Sequence, residues 1–115
     1  MQDASQDDRR SAQRVRVSCR CWVERESVTL LGTAINLSHS GLFMRTPLVL
    51  SRGSAVDIKL NLERGVVHAL GRVVWIKAFE GGGQASPGMG ILFEEVRCGT
   101  DLLRDYLVAK ATNAI

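Results

Sequence analysis

The 115-residue sequence has few aromatic residues, few lysines and no long apolar run. Aromatic residues make up 5% of the chain and only three of the 15 basic residues are lysines. Proteins that bind nucleic acid without sequence preference usually combine scattered cations with exposed aromatic side chains. No apolar run approaches the ~20 residues that span a bilayer, and the polar N-terminus lacks the apolar stretch of a secretory signal. We therefore expect a cytoplasmic protein, not inserted into a membrane and not specialised for nucleic acid.

Cysteine and histidine are too sparse for a metal centre. A zinc site needs about four ligands at characteristic spacings, but the chain has no Cys-x-x-Cys pair, and His39 and His68 stand apart. Three cysteines are an odd number in a chain without an export signal, which indicates reduced thiols. No nucleophile has an evident partner base, and no carboxylates are paired. The sequence predicts a binding module rather than an enzyme, with no metal and no cofactor.

Short strands with one polar face account for most of the chain. Apolar and polar residues alternate along residues 15–23, which predicts a half-buried strand with Cys19 and Cys21 as small core groups. The alternation is clearest at residues 55–62, and Gly71 indicates a bulge or bend in a later strand. The predicted strands are residues 15–23, 28–35, 42–44, 55–62, 66–76 and 89–93. Residues 80–88 are rich in glycine and predict a flexible loop.

One helix is expected after the strands. Thr100 is the predicted N-cap, and an apolar stripe follows that should dock on the strands. The stripe consists of Leu102, Leu103, Tyr106 and Leu107. Closely spaced strands without intervening helices favour a closed or nearly closed antiparallel barrel, because closure removes exposed strand edges. We expect the helix to plug or flank an open end, and we expect Trp22, on the outer face of the first strand, to lie under it.

Positive charge is concentrated near the N-terminus. Six arginines lie between residues 9 and 25 against Glu24 alone, although the net charge of the whole chain is only +3. Arginine can donate two parallel hydrogen bonds to a phosphate or to a guanine edge, so the cluster indicates an anionic ligand. A run of charge taken by itself is more typical of a solvated face.

Two polar motifs occur in a fixed order. Arg10 and Arg14 form Arg-x-x-x-Arg, and Asn36, Ser38 and Gly41 form Asn-x-Ser-x-x-Gly. The amide and hydroxyl of the second motif can form directed hydrogen bonds, and its glycine permits a positive φ or a close backbone approach. In isolation, this second motif predicts only a tight turn between strands.

Together the two motifs resemble the PilZ domain family, the bacterial receptor module for cyclic di-GMP. The resemblance extends to GRVVW at residues 71–75, GMGILF at residues 88–93 and the terminal helix, and it covers about residues 8–110. It implies an all-β fold, a six-stranded antiparallel β-barrel with one C-terminal α-helix. The implied domain is residues 9–110, between a disordered tail at 1–8 and a short tail at 111–115.

The resemblance also implies the ligand and its site. Cyclic di-GMP would bind on the outer surface of the barrel, with the arginine segment folding over it. The implied binding residues are Arg9, Arg10, Arg14, Asn36, Ser38 and Gly41. Arg9, directly before Arg10, resembles family members that capture an intercalated dimer, two ligand molecules in one site. His39 is expected to be solvated.

The resemblance implies a receptor that acts through a second protein. We expect a stand-alone receptor that relays cyclic di-GMP to an unidentified effector protein, with effects on motility or biofilm formation. One alternative is a PilZ-like adaptor that binds proteins but no nucleotide. Another is a small basic barrel that binds nucleic acid, whose affinity would fall steeply with salt. A homodimer could bury the surface that an effector would otherwise contact.

Overall fold

Six antiparallel strands form a closed barrel in the computed structural model, which describes residues 14–77 and 87–113. The strands are β1 (Val15–Arg25), β2 (Val28–Ser38), β3 (Gly41–Arg45), β4 (Ala55–Leu62), β5 (Gly65–Lys77) and β6 (Gly88–Cys98). Around the barrel their order is β1-β2-β3-β6-β5-β4, and β4 pairs with β1 to close it. Helix α1 (Thr100–Asn113) follows β6. The predicted fold class is therefore confirmed.

Every strand of the barrel contributes buried residues to the core. In β4 every second side chain from Val56 to Leu62 is buried, and in β1 Cys19, Cys21 and Val23 are buried. Burying one such aliphatic side chain contributes about 1.5–3 kcal/mol. One buried residue from each strand, in chain order, is Cys21, Leu37, Met44, Leu60, Val67 and Met89. Both predicted core cysteines lie in this interior as free thiols.

Strand β6 is longer than the sequence predicts, because it continues to Cys98 instead of ending at Phe93. Its pairing with β5 shifts register at three places, one of them at Gly71, where a bulge was predicted. A bulge interrupts the alternation of inward and outward side chains, so residues 94–98 show no strand periodicity. Most of the loop predicted at residues 80–88 lies outside the described residues, and Gly88 already belongs to β6.

Helix α1 packs across one end of the barrel. Its first hydrogen bond runs from the Leu103 N–H to the Gly99 carbonyl (2.8 Å), and Gly99 has a φ of 93°. Gly99 therefore occupies the N-cap, and the prediction of Thr100 there is wrong, because the chain turns into the helix through a conformation that favours glycine. Leu103 is buried, and Tyr106 packs on the core. The last turn of α1 lies in the segment expected to be a C-terminal tail.

Trp22 lies on the outer face of β1, in register with Leu31 of β2 and Lys59 of β4. The helix instead meets β1 at an inward-facing residue, where the Tyr106 hydroxyl lies 3.4 Å from the Cys19 sulfur. The expectation that Trp22 lies under the helix is therefore wrong, because α1 covers the end of the barrel and not its side. Within the described residues, no helix is long and apolar enough to cross a membrane.

The thiol of Cys21 makes the stability of the barrel sensitive to alkaline pH. Burial, and secondly the neighbouring Cys19, raise the pKa of Cys21 from 9.0 to about 12. Above pH 9 the unfolded chain therefore binds fewer protons than the folded protein. The contribution of this thiol to the free energy of unfolding is fully present below pH 9 and is lost as the pH rises toward 12. Burial and the contact with Cys19 also raise the pKa of Tyr106, and this adds to the decline.

We expect the free energy of unfolding to fall by about 1.4 kcal/mol per pH unit through Cys21 once the pH exceeds its unfolded pKa. Urea unfolding at a series of pH values from about 8 to about 11 follows the onset of this slope and its full value. Cys21→Ala should flatten the slope, whereas Cys98→Ala, which removes an exposed thiol, should leave it unchanged. An equal slope in wild type and Cys21→Ala would show that this thiol does not couple folding to pH.

Candidate ligand-binding site

The two polar motifs meet at the outer surface of the barrel. The Arg14 Nη1 donates a hydrogen bond to Asn36 Oδ1 at 3.1 Å. Strand pairing explains this contact, because β1 and β2 run antiparallel with Arg16 opposite Asn36, two residues from Arg14. The structure therefore joins the second arginine of the first motif to the first residue of the second motif. Arg9 and Arg10 lie outside the described residues.

Ser38 shapes the turn between β2 and β3. Its side chain is buried, with 2% of its surface exposed. Its hydroxyl oxygen accepts the Ser40 N–H at 3.2 Å, and its O–H can donate to the Gly41 carbonyl at 3.4 Å. These bonds fix the two-residue turn of His39 and Ser40. The structure gives Ser38 a role in the turn, and its contact with a ligand stays a prediction.

Gly41 allows β3 to approach β6 closely. A Cβ atom at this position would overlap the carbonyl oxygen of Ile91 on β6. Gly41 is not among the residues with positive φ. Of the two reasons for a glycine at this motif position, the structure supports the close backbone approach. The same edge of the turn is tied to β6 by the Phe93 N–H, which donates to the Ser40 carbonyl at 2.8 Å.

His39 is exposed, as expected, at the tip of this turn. Beside it an apolar groove of about 580 Å³ runs along helix α1. Val15, Leu103 and Leu107 line the groove, whereas Arg14 and Asn36 do not. The groove is therefore a neighbour of the motif residues and not part of the site that they form.

An aromatic shelf lies on the barrel surface beside Asn36. One row of paired residues crosses four strands, from Asn36 on β2 through Phe43 on β3 and Gly90 on β6 to Trp75 on β5. The rings of Phe43 and Trp75 stack, with centroids 5.0 Å apart and an interplanar angle of 21°. A Cβ atom at Gly90 would overlap the Trp75 indole, so this glycine provides the space in which the ring lies.

The shelf presents a flat apolar surface to a ligand. Phe43 is 5% exposed and lies beneath, while Trp75 is 42% exposed and available for stacking. Three strand spacings of about 4.8 Å separate Asn36 from Trp75, a span of about 14 Å. The sequence predicts strands for both aromatic residues but does not predict the shelf. The available signal was the Gly-x-Gly pattern at Gly88 and Gly90, which marks a strand surface without side chains.

The site is electrostatically open to an anion. Arg14 and Arg16 are both exposed, and within residues 14–77 and 87–113 neither forms an ion pair with a carboxylate. Their positive charges are therefore not neutralised by described side chains. Among those same residues, no three His, Cys, Asp or Glu side chains are grouped so that they could hold a metal ion.

The structure thus combines a closed six-stranded barrel with a contact between Arg14 and Asn36 and an aromatic shelf on its outer wall. The model of the PilZ domain family matches residues 8–109, so the chain belongs to this family. PilZ is a family of binding domains and not a family of enzymes. No curated protein matches the sequence.

Solved structures with the same fold include those of two bacterial proteins. The PilZ domain of YcgR from Escherichia coli with c-di-GMP superposes with a TM-score of 0.73 at 18% identity, covering 92% of this chain and 94% of that one. The Bacillus subtilis inhibitor of motility MotI/DgrA superposes with a TM-score of 0.74 at 16% identity, covering 87% of this chain. The chain spans about half the length of MotI/DgrA, with 50% of that chain covered.

Proposed function

We propose that this PilZ domain is a receptor for cyclic di-GMP. The observation that carries the proposal is the hydrogen bond between Arg14 and Asn36, because it joins the two motifs at one exposed, cationic place on the barrel. The E. coli YcgR domain, which has the same fold, was solved with c-di-GMP and supports the choice of ligand.

The chemistry of the site suits this ligand. Cyclic di-GMP has two phosphodiester charges and two guanine bases, so it needs cations, hydrogen-bond donors for the guanine O6 and N7 atoms, and flat surfaces. Arg14 and Arg16 can donate to phosphate or to guanine. The Asn36 amide both donates and accepts. Trp75 offers an exposed ring on which a base can stack, a contact worth about 1–3 kcal/mol.

Arg9 and Arg10 complete the proposed site. They are close in sequence to Arg14, whose guanidinium is already held over β2 by Asn36. We propose that these arginines close over the ligand and that Arg9 allows two stacked ligand molecules to bind. A binding ratio near one ligand per chain would contradict this role of Arg9. We propose that the bound state is relayed to an effector protein.

Isothermal titration with cyclic di-GMP tests the proposal. We expect saturable binding by the wild type and no comparable binding of GTP. Asn36→Ala should weaken the affinity by about tenfold, because it removes a hydrogen-bonding partner worth about 1.5 kcal/mol when one of the groups is charged. Asn61→Ala is the matched control, since Asn61 is an exposed asparagine on β4 outside the site.

The outcome separates the receptor from the adaptor. If the wild-type protein gives no heat and no change in melting temperature at high ligand concentration, the receptor proposal is wrong. The domain would then have to act by protein contacts alone. Equal affinities for wild type and Asn36→Ala would mean that the nucleotide binds elsewhere.

A further inference from the structure

The outer face of β4, β1 and β2 carries an apolar pair, Trp22 and Leu31. Trp22 on β1 lies directly opposite Leu31 on β2 and, on its other side, opposite Lys59 on β4. Leu31 is 63% exposed, and Trp22 is half-buried. Protein interfaces often have neighbouring large side chains of this kind, facing away from the core, at their centre.

Three cations surround this pair. Lys59 lies in the same row as Trp22, and Arg20 lies in the next row, opposite Thr33. Thr33 of β2 pairs on its other side with Arg45 of β3, which therefore belongs to the same row as Arg20. Arg45 also lines the same surface depression as Leu31. We call the five residues Arg20, Trp22, Leu31, Arg45 and Lys59 the Trp22 surface.

These positive charges are unpaired in the described part of the chain. None of Arg20, Arg45 and Lys59 lies within 4.0 Å of a carboxylate oxygen there. The carboxylates nearest in register are Glu24 and Asp57, which face each other across β1 and β4 at one edge. Asp57 is already bonded to His68, with Oδ1 2.5 Å from Nε2. The surface therefore combines an apolar centre with cations that lack partners.

We propose that the Trp22 surface binds an acidic segment of a partner protein, with an apolar side chain of that segment against Trp22 and Leu31. Unpaired cations around an apolar centre are complementary to carboxylates around an apolar side chain. Leu31 is 63% exposed at the centre of the surface, where an apolar side chain of a protein can pack. A phosphate backbone offers no apolar group for this position, which favours a protein partner.

The centre of the Trp22 surface lies apart from the motif residues on the same two strands, whereas Arg45 at its rim is two residues from Phe43 of the aromatic shelf. The pair of Arg16 and Asn36 lies six residues along β1 from the pair of Trp22 and Leu31, about 20 Å away. This inference therefore goes beyond the proposed receptor function and does not depend on nucleotide binding. If both hold, strands β1 and β2 physically connect the ligand site to the partner site.

Site-specific photo-cross-linking tests the inference. Benzoylphenylalanine is placed at Leu31 in the full chain, the protein is irradiated in native cells, and the cross-linked peptide is sequenced. Val108 on helix α1 is the control position, because it is 60% exposed and lies on another face. We expect cross-links at Leu31 that exceed those at Val108 and lead to one segment rich in Asp or Glu around an apolar residue.

The segment is then synthesised and titrated against purified protein. Lys59→Glu should weaken its binding at least tenfold, and a lysine in place of the one acidic residue of the peptide that faces position 59, found by replacing the acidic residues one at a time, should restore binding to this variant. Arg97→Glu, a charge reversal on the exposed part of β6, should have no effect. Cyclic di-GMP binding by Lys59→Glu should equal that of the wild type, which also shows that the variant is folded.

Several results would overturn the inference. One such result is that cross-linking at Leu31 is no stronger than at Val108. Another is that Leu31 is cross-linked to a neutral or basic segment, to nucleic acid or to lipid. Equal affinity of the peptide for wild type and Lys59→Glu would overturn it as well.

Discussion

Replacing Arg14 by alanine is expected to weaken cyclic di-GMP binding by about 100-fold. The guanidinium can form two hydrogen bonds to a phosphodiester or a guanine edge, each worth about 1.5 kcal/mol when a charged group takes part, and 1.4 kcal/mol corresponds to tenfold in affinity. Because Arg14 is exposed, its loss should change the melting temperature little. Arg10→Ala is expected to abolish binding, since it removes the first arginine of the same motif.

A double-mutant cycle with Asn36→Ala shows whether the two motifs act together. Asn36 holds the Arg14 guanidinium at 3.1 Å, so the double variant should lose less than the sum of the single losses. Arg104→Ala is the control, because Arg104 is an exposed arginine of α1 that pairs with Asp101. Titration calorimetry measures all four affinities. An Arg14→Ala protein that binds as tightly as the wild type would remove Arg14 from the site.

Gly41→Ala is expected to lower the free energy of unfolding by about 3 kcal/mol. A Cβ atom at Gly41 would overlap the carbonyl oxygen of Ile91, and backbone atoms cannot rotate away as the end of a side chain can. Strands β3 and β6 would have to separate along a ladder that closes the barrel. Gly41 belongs to the second polar motif, but the main expected effect of replacing it is a loss of stability.

Urea unfolding of Gly41→Ala and Gly65→Ala measures this effect with a matched control. A Cβ atom at Gly65 would meet only the end of the Leu102 side chain, at 3.1 Å, so the cost there should stay below about 1 kcal/mol. Unchanged stability of Gly41→Ala would mean that β3 and β6 can shift apart easily. The motif glycine would then have to be explained by ligand contact instead.

The strands that the sequence predicts well are those whose alternation is uninterrupted. Strand β4 has the predicted bounds, because a period of two along one strand is a local property of the chain. Strand β6 extends five residues beyond its predicted end, since its bulges depend on the pairing with β5. The N-cap of α1 was wrongly predicted for a similar reason, because the position of Gly99 depends on where the chain leaves the barrel.

The candidate site is predictable in its polar residues and not in its aromatic ones. Arg14 and Asn36 belong to motifs that can be read along the chain, and the structure brings them into contact. The stacking of Phe43 on Trp75 depends on a register that crosses β3, β6 and β5. The position of Trp22 likewise follows from the path of α1 over the barrel end, which strand alternation does not specify.

An NMR titration of ¹⁵N-labelled protein with cyclic di-GMP tests most directly whether the ligand binds beside Asn36 and Trp75. The two tryptophans provide an internal comparison, because Trp75 lies in the shelf beside Asn36 and Trp22 lies on a separate surface. We expect large shifts for the Trp75 indole N–H and for the amides of Arg14 and Asn36, with little change at the Trp22 indole. No shifts at saturating ligand, or shifts at Trp22 without any at Trp75, would contradict this expectation.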